Sequence, residues 1–151
     1  MRASAIIVLL AVTLAATGCG GTAKDRSAYV KALNKAQTGL AQRFQALQSR
    51  ITPTSTPRQD GRTLLGYEAA VRDTVRDLRA VTPPSGFDGL HRRFIAQVAD
   101  YGTALRSARS GLRSADPRAI LASQGRLRTA IAHAGERLNA TIRAINSKIK
   151  G

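Results

Sequence analysis

Arginine side chains at helical spacing are the residues of this chain most able to do chemistry. Arg106, Arg109 and Arg113 recur at i, i+3 and i+7, which places them along one face of a helix. Antiparallel pairing about a turn near residue 116 is expected to bring Arg126 and Arg128 close to that face. A guanidinium binds phosphate or carboxylate through two parallel N–H bonds, so these residues predict anion binding. The candidate anion-binding residues are Arg106, Arg109, Arg113, Arg118, Arg126 and Arg128.

The two histidines give no second site. The same antiparallel pairing puts His91 and His133 about eight residues apart along the bundle, which is about 12 Å and too far for one shared metal ion. Each histidine stands without a second ligand nearby in the sequence. We therefore expect both to be solvated or boundary side chains, and we predict no metal site.

The carboxylates are spaced for ion pairs on a helix surface rather than for acid–base catalysis. Glu68 and Arg72 stand at i,i+4, and Asp73 and Arg76 stand at i,i+3. Such pairs are typical of an exposed helix face and contribute little. The chain also has no Gly-rich phosphate loop, no nucleophile with a plausible base and no zinc-ligand spacing. These observations predict a protein without enzymatic activity and without a cofactor.

The elements that must position these residues are helices. Apolar residues recur at spacings of three and four through four segments. A capping box with proline at the first helical position is predicted at Thr56-Pro57-Arg58-Gln59, and Thr82-Pro83-Pro84 and Asp116-Pro117 separate the later segments. Short turns between long helices force antiparallel neighbours, so the sequence predicts an all-α, up-down-up-down four-helix bundle. The predicted helices cover residues 27–51, 57–81, 86–115 and 117–150.

The start of the chain carries a targeting pattern. Met1-Arg2 is followed by an uncharged, mostly apolar run from Ala3 to Ala16 and then by Thr17-Gly18-Cys19. A charged start, a short apolar run and small residues before a cut are typical of a secretory leader. The run is short for a membrane span, which needs about 20 apolar residues. Cys19 is the single cysteine of the chain, so it cannot form an intramolecular disulfide.

Ala16-Thr17-Gly18-Cys19 resembles the lipobox of bacterial lipoprotein signals, with Ala16 at the position that is usually Leu. The resemblance implies that residues 1–18 are a signal peptide, that cleavage falls between Gly18 and Cys19, and that Cys19 carries a diacylglyceryl lipid. Residues 19–26 would then be the lipidated cysteine and a tether, ahead of the bundle at 27–151. We expect a lipid anchor at the outer face of the cell membrane. An ordinary secretory signal or an uncleaved anchor are the alternatives, and both also put the domain outside the cytoplasm.

The charge distribution suggests which partners the domain attracts. The formal net charge is +15, and residues 90–151 hold twelve basic side chains against three acidic ones. Lys24, Arg26, Lys148 and Lys150 are expected at the end of the bundle nearest the membrane, and the candidate arginines at the far end. The expected partners are an anionic cell-wall polymer, lipid headgroups or an acidic envelope protein. A solvated basic surface without a dedicated ligand is the other interpretation.

The sequence thus favours an envelope interaction or scaffold module. The mature part is similar in composition to small helical lipoproteins of high-GC Gram-positive bacteria. An alternative function is a carrier that holds a small apolar ligand or lipid between its helices. Nucleic acid binding is disfavoured because the six aromatic residues show no stacking pattern.

Overall fold

Four helices make up the described part of the chain, which is residues 21–52 and 54–150 of a computed structural model. Each helix packs against the next along the chain, α1 on α2, α2 on α3 and α3 on α4. Their connections are short, so neighbours run antiparallel. The predicted all-α four-helix bundle is confirmed. The helices are α1 (Gly21–Gln48), α2 (Pro57–Arg79), α3 (Asp88–Gly111) and α4 (Pro117–Lys150).

Side-chain caps and prolines fix where the helices begin. At α2, the Thr56 hydroxyl accepts from the backbone N–H of Gln59, the Gln59 side chain accepts from the Thr56 N–H at 2.7 Å, and Pro57 occupies the first turn. At α4, the Asp116 carboxylate accepts the N–H of Arg118 at 2.9 Å. These caps satisfy backbone donors that have no partner within the helix, which is why both helices begin where the sequence predicts.

Five boundaries differ from the prediction. The first three helices end earlier than predicted, at Gln48, Arg79 and Gly111 rather than at residues 51, 81 and 115. The first helix also begins earlier, at Gly21 rather than at residue 27, so residues 21–26 of the predicted tether are helical. No proline interrupts that stretch, and the Arg26 guanidinium donates to the Ile149 carbonyl at 3.3 Å, which attaches the first turns of α1 to the end of α4. The third helix begins at Asp88 rather than at residue 86. Gly86 there has φ +82°, a left-handed conformation that ends any helical continuation and that glycine adopts without strain.

The hydrophobic core is concentrated toward one end of the bundle. We call the end where α1 begins and α4 ends the proximal end, and the end with the α1–α2 and α3–α4 connections the distal end. Within the described residues of α1, no hydrophobic side chain after Leu33 is fully buried, and in α4 the buried hydrophobic residues begin at Ala134. The distal half is therefore held mainly by α2 and α3, which keep buried residues along their length. The largest fully buried side chains are Phe87, Phe94, Leu78, Val30 and Val71.

Candidate functional site

The residues predicted from the leader cannot be placed. Gly18 and Cys19, like the rest of the predicted signal peptide at 1–18, lie outside the described residues. The structure therefore bears on the candidate anion-binding arginines and on the histidines and carboxylates.

Arg109 is engaged inside the bundle. Its Nε donates to Oε1 of Glu68 at 2.7 Å, and this contact joins α3 to α2. The Glu68 side chain is 4% exposed and the Arg109 side chain 22% exposed. The hydrogen bond to the Glu68 carboxylate raises the pKa of Arg109 above its usual value. Because this guanidinium neutralises a buried carboxylate, the prediction of Arg109 as an anion-binding residue is corrected to a structural bridge.

The surface ion pairs are confirmed only in part. Glu68 is buried against α3, so its predicted exposed pair with Arg72 is wrong. Asp73 pairs with Arg76 at 3.0 Å, as its i,i+3 spacing predicts. Asp73 also lies 3.6 Å from Arg43, which adds a contact between α1 and α2. The side chains in both ion pairs of Asp73 are more than two-fifths exposed, so each pair contributes little to stability.

The other five candidate arginines remain exposed. Within the described ranges, none of them forms an ion pair with a carboxylate. Arg106 donates a hydrogen bond to the neighbouring Thr103 hydroxyl at 3.3 Å. Their positive charges are therefore uncompensated at close range. The five are Arg106, Arg113, Arg118, Arg126 and Arg128.

Contacts between α3 and α4 decide which way the α3 arginines face. The Ser123 hydroxyl of α4 donates to the Ala108 carbonyl at 3.3 Å, and Ser123 also lies directly against Gly111. Arg106 is two residues from Ala108 and five from Gly111, which is about 160° and 140° around the helix, so it stands on the side of α3 that is turned away from α4. Arg113 follows the end of α3, in a turn where its backbone N–H donates to the Ser110 carbonyl at 3.2 Å.

The α4 arginines do not join them. Arg126 and Arg128 are two residues apart, so they project from nearly opposite sides of α4, about 160° apart. Arg118 opens the helix, with its backbone N–H held by Asp116. The predicted single cluster at the α3–α4 turn is therefore divided among different faces. The prediction that these side chains lie toward the distal end agrees with the helix positions. The predicted rotation of α3 and α4 about their own axes, which would bring the arginines together, is wrong.

His91 is a buried residue, and the prediction of a solvated or boundary position is wrong for it. The His91 residue is 5% exposed, and its Nε2 donates to the Leu78 carbonyl at 3.1 Å. Because a carbonyl only accepts, Nδ1 is left to accept the Tyr29 hydroxyl at 3.2 Å. Burial lowers the pKa of His91, against smaller opposing effects of the Leu78 hydrogen bond and of Asp88. Burial and the Asp88 charge raise the pKa of Tyr29 to about 12.

His133 is exposed, as predicted. Its Nδ1 lies 3.7 Å from the Glu136 carboxylate on the same helix, and both side chains are more than two-thirds exposed. The described residues contain no group of three or more His, Cys, Asp or Glu side chains placed to hold a metal ion.

The proximal end brings basic groups together. Arg26 donates to the Ile149 carbonyl, and the Lys148 ammonium lies 5.5 Å from the centre of the Phe87 ring. A cation beside an aromatic face is attracted by the ring quadrupole, so Lys148 is held over the core at this end. The sequence predicted this grouping of the first turns of α1 with the last turn of α4.

The cavities do not match an apolar carrier. A surface pocket of about 420 Å³ at the distal end is lined by polar and basic side chains, among them Arg50, Thr52 and Arg62. An apolar cleft between α1 and α4, beside Leu33 and Ile142, measures about 10 Å³. Sites for small ligands occupy roughly 300–1,000 Å³ and are mostly apolar. The carrier alternative therefore receives no support from these two cavities.

Comparison with known proteins adds no assignment: no family model, no curated protein and no solved structure matches the chain. None of the described helices is both long enough and apolar enough to cross a membrane. The candidate functional surface is thus identified from the structure and not from a related protein. It consists of exposed arginines on a bundle in which the buried polar side chains Glu68, His91 and Ser123 are engaged in hydrogen bonds between helices.

Proposed function

We propose that the protein is a lipoprotein of the cell envelope that binds an anionic polymer through its exposed arginines and has no enzymatic activity. The lipobox-like sequence at Ala16-Thr17-Gly18-Cys19 supports an anchor at the outer face of the membrane. The observation that carries the proposed binding is the set of five exposed distal arginines that pair with no carboxylate of the described residues. Uncompensated guanidinium groups attract polyanions and bind their phosphate or carboxylate groups in bidentate fashion.

The anchor and the bundle suggest an orientation. Gly21, the first described residue, starts α1 at the proximal end, two positions after Cys19. A lipid on Cys19 would hold this end at the membrane surface, where Lys148 and Lys150 can contact anionic headgroups. The 24 residues of α3 extend about 36 Å from that end, at about 1.5 Å per residue. The distal arginines would then face away from the membrane, toward wall polymer.

Lipid labelling tests the anchor. The full chain is expressed in a bacterial host supplied with a labelled fatty acid, beside the Cys19→Ala variant. We expect label and membrane recovery for the wild type and loss of both for the variant. Unlabelled wild-type protein in the cytosolic fraction would exclude the anchor.

Retention on anionic envelope polymer tests the binding. Retention of the purified full chain is compared between about 50 and 200 mM salt, a range in which phosphate contacts lose much of their affinity. We expect strong retention at the lower salt concentration and little at the higher one. Absence of retention at low salt would reject the proposed binding while leaving the anchor untouched.

A further inference from the structure

A row of exposed arginines borders the outer side of the α2–α3 interface. On α3, Gly102 lies against Val71 of α2, and Arg109 is bonded to Glu68 of α2. Arg106 follows Gly102 by four residues, which is one helical turn plus about 40°, so it stands immediately beside the line of contact with α2. Its exposure shows that this is the solvent side of that line. Arg113, also exposed, follows in the turn after α3, where its backbone N–H donates to the Ser110 carbonyl at 3.2 Å.

The same offset occurs on α2. Arg72 follows Glu68 by four residues, and Arg79 follows Arg72 by seven, which returns to the same side of the helix. The hydrogen bond from His91 of α3 to the Leu78 carbonyl of α2 shows which residues of the two helices lie side by side near the proximal end. Arg79 and Arg92 are the next residues after this pair. Arg79 therefore lies at about the level of Arg92 across the interface.

Two contacts position the arginines in the distal part of the groove. The Glu68–Arg109 bond and the Val71–Gly102 contact lie on either side of Arg106 along α3. Arg72 is the next residue after Val71, so it lies at about the level of Gly102, one helical turn closer to the proximal end than Arg106. Arginines thus line both rims of one groove. We call them the groove arginines: Arg72, Arg79, Arg92, Arg106 and Arg113.

Carboxylates do not neutralise this groove. In the described ranges, no groove arginine forms an ion pair, and Glu68, which lies on the interface itself, is used by Arg109. Asp73 and Asp77 of α2 pair elsewhere, with Arg76 and, for Asp73, with Arg43 of α1. Like charges facing each other across a groove repel, and a bound polyanion would remove that repulsion.

We infer that the α2–α3 groove is the binding site for an extended phosphate polymer. The inference rests on the proposed function and specifies its ligand and its surface. From Arg92 to Arg106 the row covers 14 residues, which is about 21 Å of helix, and Arg113 continues it in the turn after α3. A row of this length is suited to a chain rather than to a single ion. Guanidinium forks match phosphate oxygens in bidentate geometry. No aromatic residue lies among the groove arginines to stack a base, which favours a polymer without bases over a nucleic acid.

A pair of variants with equal charge separates this groove from net charge. The first variant, R72Q/R106Q/R113Q, removes three groove arginines, and the second, K35Q/R93Q/R143Q, removes three exposed basic residues that lie neither in the groove nor among the five distal arginines. Each lowers the formal net charge from +15 to +12. The probe is long-chain inorganic polyphosphate, titrated into the full chain in detergent at several salt concentrations. Because all six side chains are exposed, thermal melts of both variants are expected to match the wild type.

The groove variant is expected to bind polyphosphate roughly tenfold more weakly, with a salt slope reduced by about 2, since each phosphate contact on a single strand contributes about 0.7. The control variant is expected to stay within about twofold of the wild type. Equal losses in both variants would overturn the groove while leaving polymer binding by net charge intact. No binding by the wild type would reject the groove and the proposed binding together. Tighter binding of single-stranded DNA or of a carboxylate polysaccharide than of polyphosphate would overturn the phosphate assignment.

Discussion

Gly111→Ala is the substitution that most directly tests how α3 and α4 meet. A methyl group at Gly111 would overlap the Ser123 side chain, whose Cβ and hydroxyl both lie well inside van der Waals contact of the added carbon. Overpacking of this kind costs about 1–3 kcal/mol, and the gain in helix propensity offsets up to about 1 kcal/mol. With the full offset, we therefore expect a net loss of up to about 2 kcal/mol in the free energy of unfolding.

Gly125→Ala is the matched control. Gly125 lies within α4, two residues after Ser123, and nothing stands within 4 Å of an added Cβ there. This variant is expected to gain up to about 1 kcal/mol, because alanine is the better helix former. Urea unfolding followed by far-ultraviolet circular dichroism measures both changes. In a Ser123→Gly background, which removes the overlapping atoms, the loss caused by Gly111→Ala should disappear. Equal stabilisation by both alanines would show that the helices do not approach at Gly111.

Three further predictions concern the polar interior. Burial lowers the pKa of His91 in the folded protein, so below the ordinary pKa of 6.5 the unfolded chain binds a proton that the folded chain does not. The free energy of unfolding should therefore fall as the pH drops below 6.5, and urea titrations should show a weaker pH dependence of this free energy in His91→Gln. An unchanged pH dependence in the variant would refute this. Tyr29→Phe leaves the buried His91 nitrogen without its donor and is expected to cost about 1–3 kcal/mol, measured by the same titration; a neutral result would mean that water replaces the hydroxyl. Glu68→Gln should lower the melting temperature clearly more than Asp73→Asn, because the first carboxylate is buried and the second is exposed; equal shifts would contradict the buried bridge.

The fold could be predicted from local signals, and the buried polar residues could not be predicted from charge alone. Proline, capping residues and the apolar repeat determine the helix positions, and short connections determine their order. The i,i+4 spacing of Glu68 and Arg72 predicts a surface position for Glu68, which is wrong. However, Glu68 continues the apolar series Leu64, Val71 and Val75, whose members are all buried, and this position is the signal that indicated burial.

His91 follows the same rule. It stands between Phe87 and Phe94 at spacings of four and three residues, so it lies on the buried face of α3. Its partners, Tyr29 and the Leu78 carbonyl, come from α1 and from the end of α2, far away in the chain. Spacing along one helix predicts a residue's face, but no local pattern specifies which distant donor or acceptor will meet it. The sequence could therefore have indicated burial of His91 without indicating its hydrogen bonds.

The side of α3 on which the arginines lie also depends on both local spacing and contacts between helices. The spacing of Arg92 and Arg106 predicts that they share one side of α3, but which helix borders that side depends on which helix contacts Gly102 and which contacts Gly111. Once these contacts are known, the seven-residue interval determines how the arginines align along the groove. Seven residues fall only about 20° short of two turns, so a row at this interval keeps its position beside a straight interface for several turns. The apolar positions that pack α3 on α2 thus also hold Arg92 and Arg106 in line along the groove, Arg113 follows in the turn after α3, and the Arg109–Glu68 bond fixes the position of that line around the helix.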